Sequence, residues 1–189
     1  MDELTRLLRA AQGGDRLALA GFIRGSQAEV WRLCAHLVDR QAADDLTQEV
    51  YLRAWTALPG WRGEASARTW LLAIARRTCA QVIRRRLRRV TTPIEMAAGD
   101  HQVLSDPAEA VLLTQLLAGL DPQRRAAFVL TQLLGLSYAE AAEVCGCPVG
   151  TIRSRVARAR ADLASQLRDS GPAPALANPT MSDQAFQAR

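Results

Sequence analysis

Hydrophobic residues recur every three or four positions along most of the chain, which is the spacing of one face of an α-helix. In the first half, this pattern predicts helices over residues 3–12, 15–38, 42–57 and 66–89. In the second half, it predicts helices over residues 107–118, 122–134, 138–145 and 149–167. No segment shows the alternation of apolar and polar residues that a half-buried strand needs. We therefore predict an all-α protein.

Capping and turn residues mark several ends of these helices. Gly13-Gly14 separates the first two, and Pro59-Gly60 ends the third. Asp106-Pro107 and Asp121-Pro122 each place an N-cap residue before a proline at the first helical position, where the missing N–H has no intrahelical partner to lose. Ser66 is the predicted N-cap of the long fourth helix.

The charged residues divide the chain into blocks. All 24 basic residues are Arg and stand against 19 acids, which gives a net charge of +5. Residues 1–90 have a net charge of +7 and residues 119–169 one of +2, whereas residues 91–118 contain no Arg and four acids. The turn-rich part of that acidic stretch, residues 91–106, is predicted to be a linker. The proline-containing tail, residues 170–189, is predicted to be disordered.

The expected architecture is two small helical domains, residues 1–90 and 107–169, joined by a flexible acidic linker. No apolar run approaches the ~20 residues that a membrane-spanning helix needs. The acidic start, Met1-Asp2-Glu3, lacks the apolar stretch of a signal peptide. We therefore expect a cytoplasmic protein that does not insert into a membrane.

A helix-turn-helix is predicted over residues 137–160. Ala142 is small where the second helix approaches the first, Gly146 comes four residues later where a left-handed turn is needed, and Ile152 anchors the second helix. The apolar face of that helix is predicted to continue through Val156, Ala159, Leu163 and Leu167. The rest of its surface carries hydroxyl and guanidinium groups that suit a DNA major groove. The candidate groups are those of Thr151, Arg153, Ser154, Arg155 and Arg158.

The end of the fourth predicted helix is a second basic region, with seven Arg among the fourteen residues 76–89. Tryptophans lie upstream of it. Arg beside aromatic rings suits single-stranded nucleic acid, because guanidinium groups bind phosphates and flat rings stack on bases. The candidate residues are Trp61, Arg62, Trp70, Arg76, Arg77 and Arg84. The alternative is that Trp70 belongs to the core and that the Arg run is a solvated helix end.

The third predicted helix carries an outward stripe of a different character. Leu46, Val50 and Ala54 point inward by their spacing. The outward stripe consists of Asp45, Gln48, Glu49 and Leu52. Acidic groups on an otherwise basic protein favour a protein partner over DNA. The alternative is an ordinary solvated helix face.

The residues do not indicate an enzyme, a metal site or a cofactor. The absence of Lys excludes a P-loop for nucleotides. Cys34, His36 and Cys79 are the candidate zinc ligands, and Cys145 with Cys147 is a candidate redox pair. The simpler interpretation is that these cysteines are small apolar residues of the core. We expect no catalytic residue and no cofactor.

These segments together resemble the extracytoplasmic-function (ECF) sigma factors of bacterial RNA polymerase, over about residues 5–168. Residues 45–49 resemble region 2.2, which in that family binds the β′ clamp helices of the polymerase. Residues 61–63 and 68–76 resemble regions 2.3 and 2.4, which open and read the minus-ten element.

The resemblance continues in the second half of the chain. Residues 120–125 resemble region 4.1, and residues 150–160 resemble the region 4.2 helix that reads the minus-thirty-five element. Within the family, residues 131–160 look closest to the sigma-C type. Where the family often has Asn and Asp after Arg76, this chain has Arg77 and Gln81.

The resemblance implies a non-catalytic alternative sigma factor. Such a subunit binds core RNA polymerase through the β′ clamp helices and the β subunit, and it directs recognition and melting of promoter DNA, as duplex and as single strand. An anti-sigma factor is a further candidate partner. The main alternative is a helix-turn-helix regulator that acts without replacing part of the polymerase. Such a regulator would normally carry a sensing domain and a dimer interface in place of the features of residues 1–90.

Overall fold

The structure is a computed structural model that describes residues 2–89 and 107–169. Every regular element within these two ranges is a helix, which confirms the all-α prediction. The predicted linker, residues 91–106, and the predicted tail, residues 170–189, lie outside the described residues. In the part of the chain that is described, no helix has the length and apolar character needed to cross a membrane.

Three of the four α-helices in the first half begin at a side-chain cap. The four helices are α1 (Glu3–Gln12), α2 (Arg16–Leu37), α3 (Ala43–Ala57) and α4 (Ala67–Arg89), with a short 3-10 turn (Leu58–Gly60) after α3. Helix α3, which begins after Ala42, has no such cap. The carboxylate of Asp2 accepts a hydrogen bond from the backbone N–H of Thr5 at 2.9 Å, and Asp15 caps α2 in the same way. Ser66 Oγ accepts from the backbone N–H of Thr69 at 3.1 Å, as its predicted role requires.

The second half is built from shorter helices. They are α5 (Pro107–Ala118), α6 (Pro122–Phe128), a π-helical segment (Val129–Leu133), α7 (Tyr138–Cys145) and α8 (Val149–Asp169). Asp121 caps α6 through the backbone N–H of Gln123 at 2.9 Å. At the other end, the N–H of Leu134 bonds to the carbonyl of Val129 at 3.0 Å. The single helix predicted over residues 122–134 therefore widens in its last part.

Helix α2 is the centre of the first half and packs against α1, α3 and α4. Its residues Phe22, Val30 and Leu33 are fully or almost fully buried. The residues of α3 that were predicted to point inward, Leu46, Val50 and Ala54, are buried as well. The stripe on the opposite side of α3 is therefore held at the surface by the packing of α3 on α2 and α4.

Helix α8 is the main support of the second half and packs against α6 and α7. Ile152, Val156 and Ala159 are buried, as the spacing predicts. The apolar face does not extend to the end of the helix, because Leu167 is 51% exposed. Burial of the first three turns fixes which side of α8 faces solvent.

The two halves pack against each other, mainly through α4 and α7, and their buried residues form one continuous cluster. Three arginines donate hydrogen bonds across this contact, and each acceptor is a main-chain carbonyl. Arg68 donates to Leu134 at 2.7 Å, Arg76 to Val144 at 2.9 Å and Arg125 to Leu37 at 3.1 Å. Arg68 also forms an ion pair with Glu29 of α2 at 2.5 Å, so α2, α4 and the second half meet at its guanidinium group.

Candidate nucleic-acid and protein interfaces

The predicted helix-turn-helix is formed by α7, a tight turn and α8. A capping box starts α7: Ser137 Oγ accepts from the N–H of Glu140 at 3.2 Å, and the Glu140 carboxylate accepts from the N–H of Ser137 at 2.8 Å. Gly146 ends α7 with φ +63°, a left-handed conformation that a side chain would strain. The N–H of Cys147 then bonds to the carbonyl of Ala142 at 3.1 Å and closes the turn.

The outer surface of α8 carries the predicted duplex-binding residues. Arg153, Ser154 and Arg158 are exposed. Neither Arg153 nor Arg158 has a hydrogen-bond or ion-pair partner among residues 2–89 and 107–169, so both guanidinium groups are available to a ligand. Thr151 is half-buried at the start of the helix.

Arg155 differs from the other predicted residues of α8. It is half-buried, and its guanidinium group donates to Gln123 Oε1 at 2.5 Å and to Cys147 Sγ at 3.5 Å. These bonds connect the second turn of α8 to α6 and to the turn of the helix-turn-helix. Arg155 can contact a base edge or phosphate only if it gives up or shares these partners.

The predicted single-strand residues of the first half fall into two groups. Trp61 is 7% exposed, and its ring lies 6.0 Å from that of the half-buried Trp70, centroid to centroid, with a tilt of 43°. Trp61 Nε1 is buried and has no hydrogen-bond partner in the described part of the protein. Both rings contribute to the core in this arrangement, as the alternative interpretation of Trp70 foresaw, and the face of Trp61 is not open to a base.

The arginines of this region are more accessible than the tryptophans. Arg62, Arg77 and Arg84 are exposed. Arg76 is half-buried, because its Nε donates to the carbonyl of Val144 in the second half. The structure thus places Arg76 directly beside the helix-turn-helix.

A side chain of α1 holds the loop that carries Trp61 and Arg62. Gln12 Nε2 donates to the carbonyls of Leu58 at 3.0 Å and Trp61 at 2.9 Å. Two hydrogen bonds from one amide fix both ends of the turn that leads into the loop. Sequence reasoning did not single out Gln12, because nothing local shows that α1 lies beside residues that come 46 and 49 positions later.

The outward stripe of α3 is present at the surface. Asp45 and Gln48 are exposed, and Leu52 is 65% exposed. Trp55, one turn further along, is 56% exposed and extends the stripe with a large aromatic ring. The sequence prediction of the stripe did not include Trp55. Its position three residues after Leu52 could have indicated it, since residues three apart share a helix face.

Glu49 is the exception in the stripe, because it is half-buried and has a partner. Its Oε1 accepts from Arg53 Nε at 2.6 Å. Arg53 donates in turn to Gln81 Oε1 at 2.7 Å and approaches Thr78 Oγ1 at 3.4 Å on α4. Glu49 therefore belongs to a polar network that connects α3 with α4.

A groove of about 520 Å³ opens beside the stripe. Its apolar walls come from α1, α2 and α3, and Leu52 and Trp55 form part of its edge. Tyr51 lines the groove, and its Oη shares a 2.7 Å hydrogen bond with Ser26 Oγ. An exposed leucine and tryptophan next to an apolar groove is a surface that an aliphatic side chain of a protein partner can fill.

The candidate zinc ligands are not assembled into a metal site. Among the described residues, no three His, Cys, Asp or Glu side chains are grouped as metal ligands. Cys34 and Cys79 are in contact, with their Sγ atoms 3.7 Å apart. Burial, with help from Arg32 and Arg40, lowers the pKa of His36.

Comparison with known proteins identifies the family to which this chain belongs. The family model for Sigma-70 region 2 matches residues 22–89, and that for Sigma-70 region 4 matches residues 110–163. The chain is 49% identical over 164 residues to the ECF RNA polymerase sigma factor SigC of Mycobacterium tuberculosis, covering 84% of this chain and 88% of that protein. It is 32% identical to the ECF RNA polymerase sigma-E factor of Escherichia coli, covering 82% and 88%.

Two solved structures have a similar fold. CnrH in complex with the cytosolic domain of CnrY has a TM-score of 0.72 at 26% identity, covering 90% of this chain and all of that one. The sigma factor RpoE of Bartonella quintana, in complex with the anti-sigma factor NepR, has a TM-score of 0.68 at 27% identity, covering 79% and 96%.

Two helical domains with these matches define a sigma factor. The chain belongs to the ECF group of the sigma-70 family. It is an alternative sigma factor that directs promoter recognition, and its partners are RNA polymerase and promoter DNA. Members of this family are non-catalytic initiation subunits.

Proposed function

We propose that three surfaces of this sigma factor divide its work. The stripe of α3 binds core polymerase, the arginines of α4 and the loop before it bind the melted minus-ten strand, and α8 reads the minus-thirty-five duplex. The observation that carries the proposal is that each surface is exposed on a different helix of one packed molecule. The corresponding domains are residues 1–90 and 107–169, with residues 91–106 as linker and 170–189 as tail.

The polymerase contact is supported by the chemistry of α3. Asp45 and Gln48 offer an acidic and polar edge, and Leu52 and Trp55 offer apolar area beside the groove. Large apolar residues next to a groove and surrounded by polar groups are the usual energetic centre of a protein interface. We assign the β′ clamp helices of the polymerase to this surface and its β subunit to the second domain.

The minus-ten contact is supported by the exposed Arg62, Arg77 and Arg84. Arg76 has to exchange its bond to Val144 for a bond to DNA, so the packing between α4 and α7 opens when this surface is used. Trp61 has to leave the core to stack on a base. If it stays buried, it supports the loop and Arg62 provides the direct contact.

The minus-thirty-five contact is supported by the outer surface of α8. Arg153 and Arg158 are the guanidinium groups ready for base edges or phosphates, and Ser154 lies between them. Thr151 and Arg155 are closer to the turn and to α6. We assign them to the edge of the same contact, where they position α8 on the duplex.

Further expectations follow if the protein acts as a subunit of bacterial RNA polymerase. The protein acts in the cytoplasm, where the bacterial polymerase is, and it has no catalytic site and no cofactor of its own. An anti-sigma factor is a fitting regulator, because the similar structure of RpoE was solved with the anti-sigma factor NepR. The surfaces of α3 and α8 are those that such a partner would have to cover to silence the protein.

Run-off transcription tests the division of work. Purified core polymerase and the protein are first combined on a promoter library. One active promoter is then used as two templates, a closed duplex and a duplex with a pre-opened minus-ten bubble. We expect transcripts only when the protein is added. The double variant Gln48→Ala, Glu49→Ala should lose transcription on both templates. The double variant Arg77→Ala, Arg84→Ala should lose transcription on the closed duplex and recover it on the pre-opened template.

Two outcomes would contradict the proposal. Unchanged core affinity of the α3 variant would place the polymerase contact elsewhere. Sequence-specific duplex binding by the free protein without any transcript would instead favour an ordinary helix-turn-helix regulator.

A further inference from the structure

Two cysteines that no proposed contact uses meet in the core of the first domain. Cys34 lies on α2 and Cys79 on α4, and both side chains are 0% exposed. The Cys79 thiol donates a hydrogen bond to Cys34 Sγ, with 3.7 Å between the sulfur atoms. A disulfide needs a separation of about 2.05 Å, so the sulfur atoms are about 1.6 Å from bonding distance.

The surroundings make the two thiols unequal. The hydrogen bond from Cys79 lowers the pKa of Cys34 against the effect of burial, and the Thr47 hydroxyl acts in the same direction. The bond to Cys34, followed by burial, raises the pKa of Cys79. With Cys79 as the donor of the hydrogen bond, Cys34 takes the role of the thiolate, and the contact between the two sulfur atoms places Cys79 to attack Cys34 afterwards.

We propose that Cys34 and Cys79 form a redox site at which a peroxide cross-links α2 to α4 and changes the activity of the sigma factor. In the first step, the Cys34 thiolate attacks one peroxide oxygen, the O–O bond breaks, and Cys34 becomes a sulfenic acid while the leaving hydroxide takes up the proton that Cys34 lost and becomes water. In the second, the Cys79 sulfur attacks the Cys34 sulfur, loses its proton, and water leaves. The two thiols lose two electrons, and one hydrogen peroxide becomes two waters.

Burial decides which oxidant can act here. Neither sulfur is accessible from the surface, so a bulky disulfide reagent cannot reach it without opening the domain. Hydrogen peroxide is small and uncharged and needs only a local separation of α2 and α4. The half-buried Cys145 and Cys147, beside Arg155 in the second domain, are the accessible thiols for comparison.

The position of the site links it to function. Cys79 follows Arg76 and Arg77 within one turn of α4, so drawing the sulfur atoms together moves the part of α4 that we assign to the minus-ten strand. Thr78, the neighbour of Cys79, is approached by Arg53, which also binds Glu49 on α3. This regulatory step rests on the proposed function of α4, whereas formation of the disulfide does not.

The experiment treats the folded full-length protein with hydrogen peroxide, then denatures and alkylates it and maps disulfide-linked peptides by mass spectrometry. We expect a Cys34–Cys79 peptide in the wild type and in the Cys145→Ser, Cys147→Ser double variant, and none in Cys79→Ala. Before treatment, a bulky aromatic disulfide reagent should modify Cys145 and Cys147 but leave Cys34 and Cys79 unmodified. Run-off transcription by the peroxide-treated wild type should fall, whereas peroxide-treated Cys79→Ala should lose less activity.

Two results would overturn the proposal. If peroxide oxidises Cys145 and Cys147 in the folded wild type and no Cys34–Cys79 peptide appears, the pair is an inert part of the core. If the peptide appears but run-off transcription is unchanged, the cross-link has no regulatory effect. The peptide map needs no variant, so a folding defect in Cys79→Ala does not affect it, and it does not depend on polymerase.

Discussion

Arg76 of α4 donates a 2.9 Å hydrogen bond from Nε to the main-chain carbonyl of Val144, the penultimate residue of α7. One of the guanidinium groups assigned to the minus-ten strand is thus bound to the helix-turn-helix of the other domain. Because the same group cannot serve both partners fully, packing between the domains and binding of the melted strand compete at this residue. The proposed minus-ten role of Arg76 therefore requires the packing of α4 on α7 to open before the promoter is bound.

Removing Arg68 should weaken the contact between the domains. Arg68→Ala loses the ion pair with the largely buried Glu29 and the hydrogen bond to Leu134. We expect the free energy of unfolding in urea to fall by about 2–3 kcal/mol, because a charged group loses its hydrogen-bonding partner. Arg88→Ala, an exposed position on the same helix, is the control and should change little. Equal effects of the two variants would show that the Arg68 bonds do not stabilise the fold.

Gly146→Ala should destabilise the turn of the helix-turn-helix. Gly146 has φ +63°, and no atom lies within 4 Å of an added Cβ, so the cost is conformational and not steric. We expect a loss of about 1–2 kcal/mol in thermal or urea unfolding. Gly150→Ala is the matched control, because it has equal space but lies in the helical conformation of α8. That control should be neutral or stabilising, and a similar loss in both variants would point to a general effect of alanine.

Leu52→Ala and Trp55→Ala should each reduce affinity for core polymerase by about tenfold or more, if they are central to the interface. Both side chains are more than half exposed, so the fold should be retained. Leu17, which is 84% exposed on α2, is the matched control as Leu17→Ala. Fluorescence titration of labelled protein with core enzyme gives the three affinities. If Leu17→Ala lost as much affinity for core polymerase as Leu52→Ala, the loss would not be specific to the surface of α3.

If Arg158 contacts a base, Arg158→Ala should weaken the free energy of binding to the cognate minus-thirty-five duplex by about 1–3 kcal/mol. The side chain is exposed and has no partner within the described residues. Arg168→Ala, in the last turn of the same helix, is the control. Holoenzyme binding is measured on the cognate promoter and on single-base variants of the minus-thirty-five element. The same loss on every sequence would identify a phosphate contact.

The capping box of α7 should respond to pH. Hydrogen bonds from the Ser137 hydroxyl and backbone N–H hold the pKa of Glu140 below its ordinary value of 4.5. A lowered pKa in the folded state means that the stabilisation is complete above pH 4.5 and is lost as the pH falls through the folded-state pKa. Glu140→Gln can still close the box but does not titrate. The stability of the wild type relative to this variant should therefore decrease in acid. A constant difference in urea unfolding between neutral and acidic pH would exclude the effect.

The helices were predictable because their signals are local. Asp121-Pro122, Ser137 with Glu140, and Gly146 each act within four residues, and each stands at a helix end in the structure. The bond between Arg76 and Val144 was not predictable, since it joins residues 68 positions apart through a main-chain atom that every residue possesses. The role of Trp61 could not be predicted from the sequence either. A tryptophan at this position suits both a DNA contact and a core residue, and only the packing of the folded protein distinguishes the two.

The hydrogen bonds that Arg68, Arg76 and Arg125 donate between the two domains end on main-chain carbonyls, at Leu134, Val144 and Leu37. Substituting the side chain at an acceptor position leaves the acceptor atom in place, whereas substituting the donor removes the bond. These three hydrogen bonds can therefore be removed by substituting the donor residue but not by substituting the side chain of the acceptor residue. A search for mutations that separate the two domains should recover substitutions at Arg68, Arg76 and Arg125. A second substitution at the acceptor residue should be unable to restore the lost hydrogen bond.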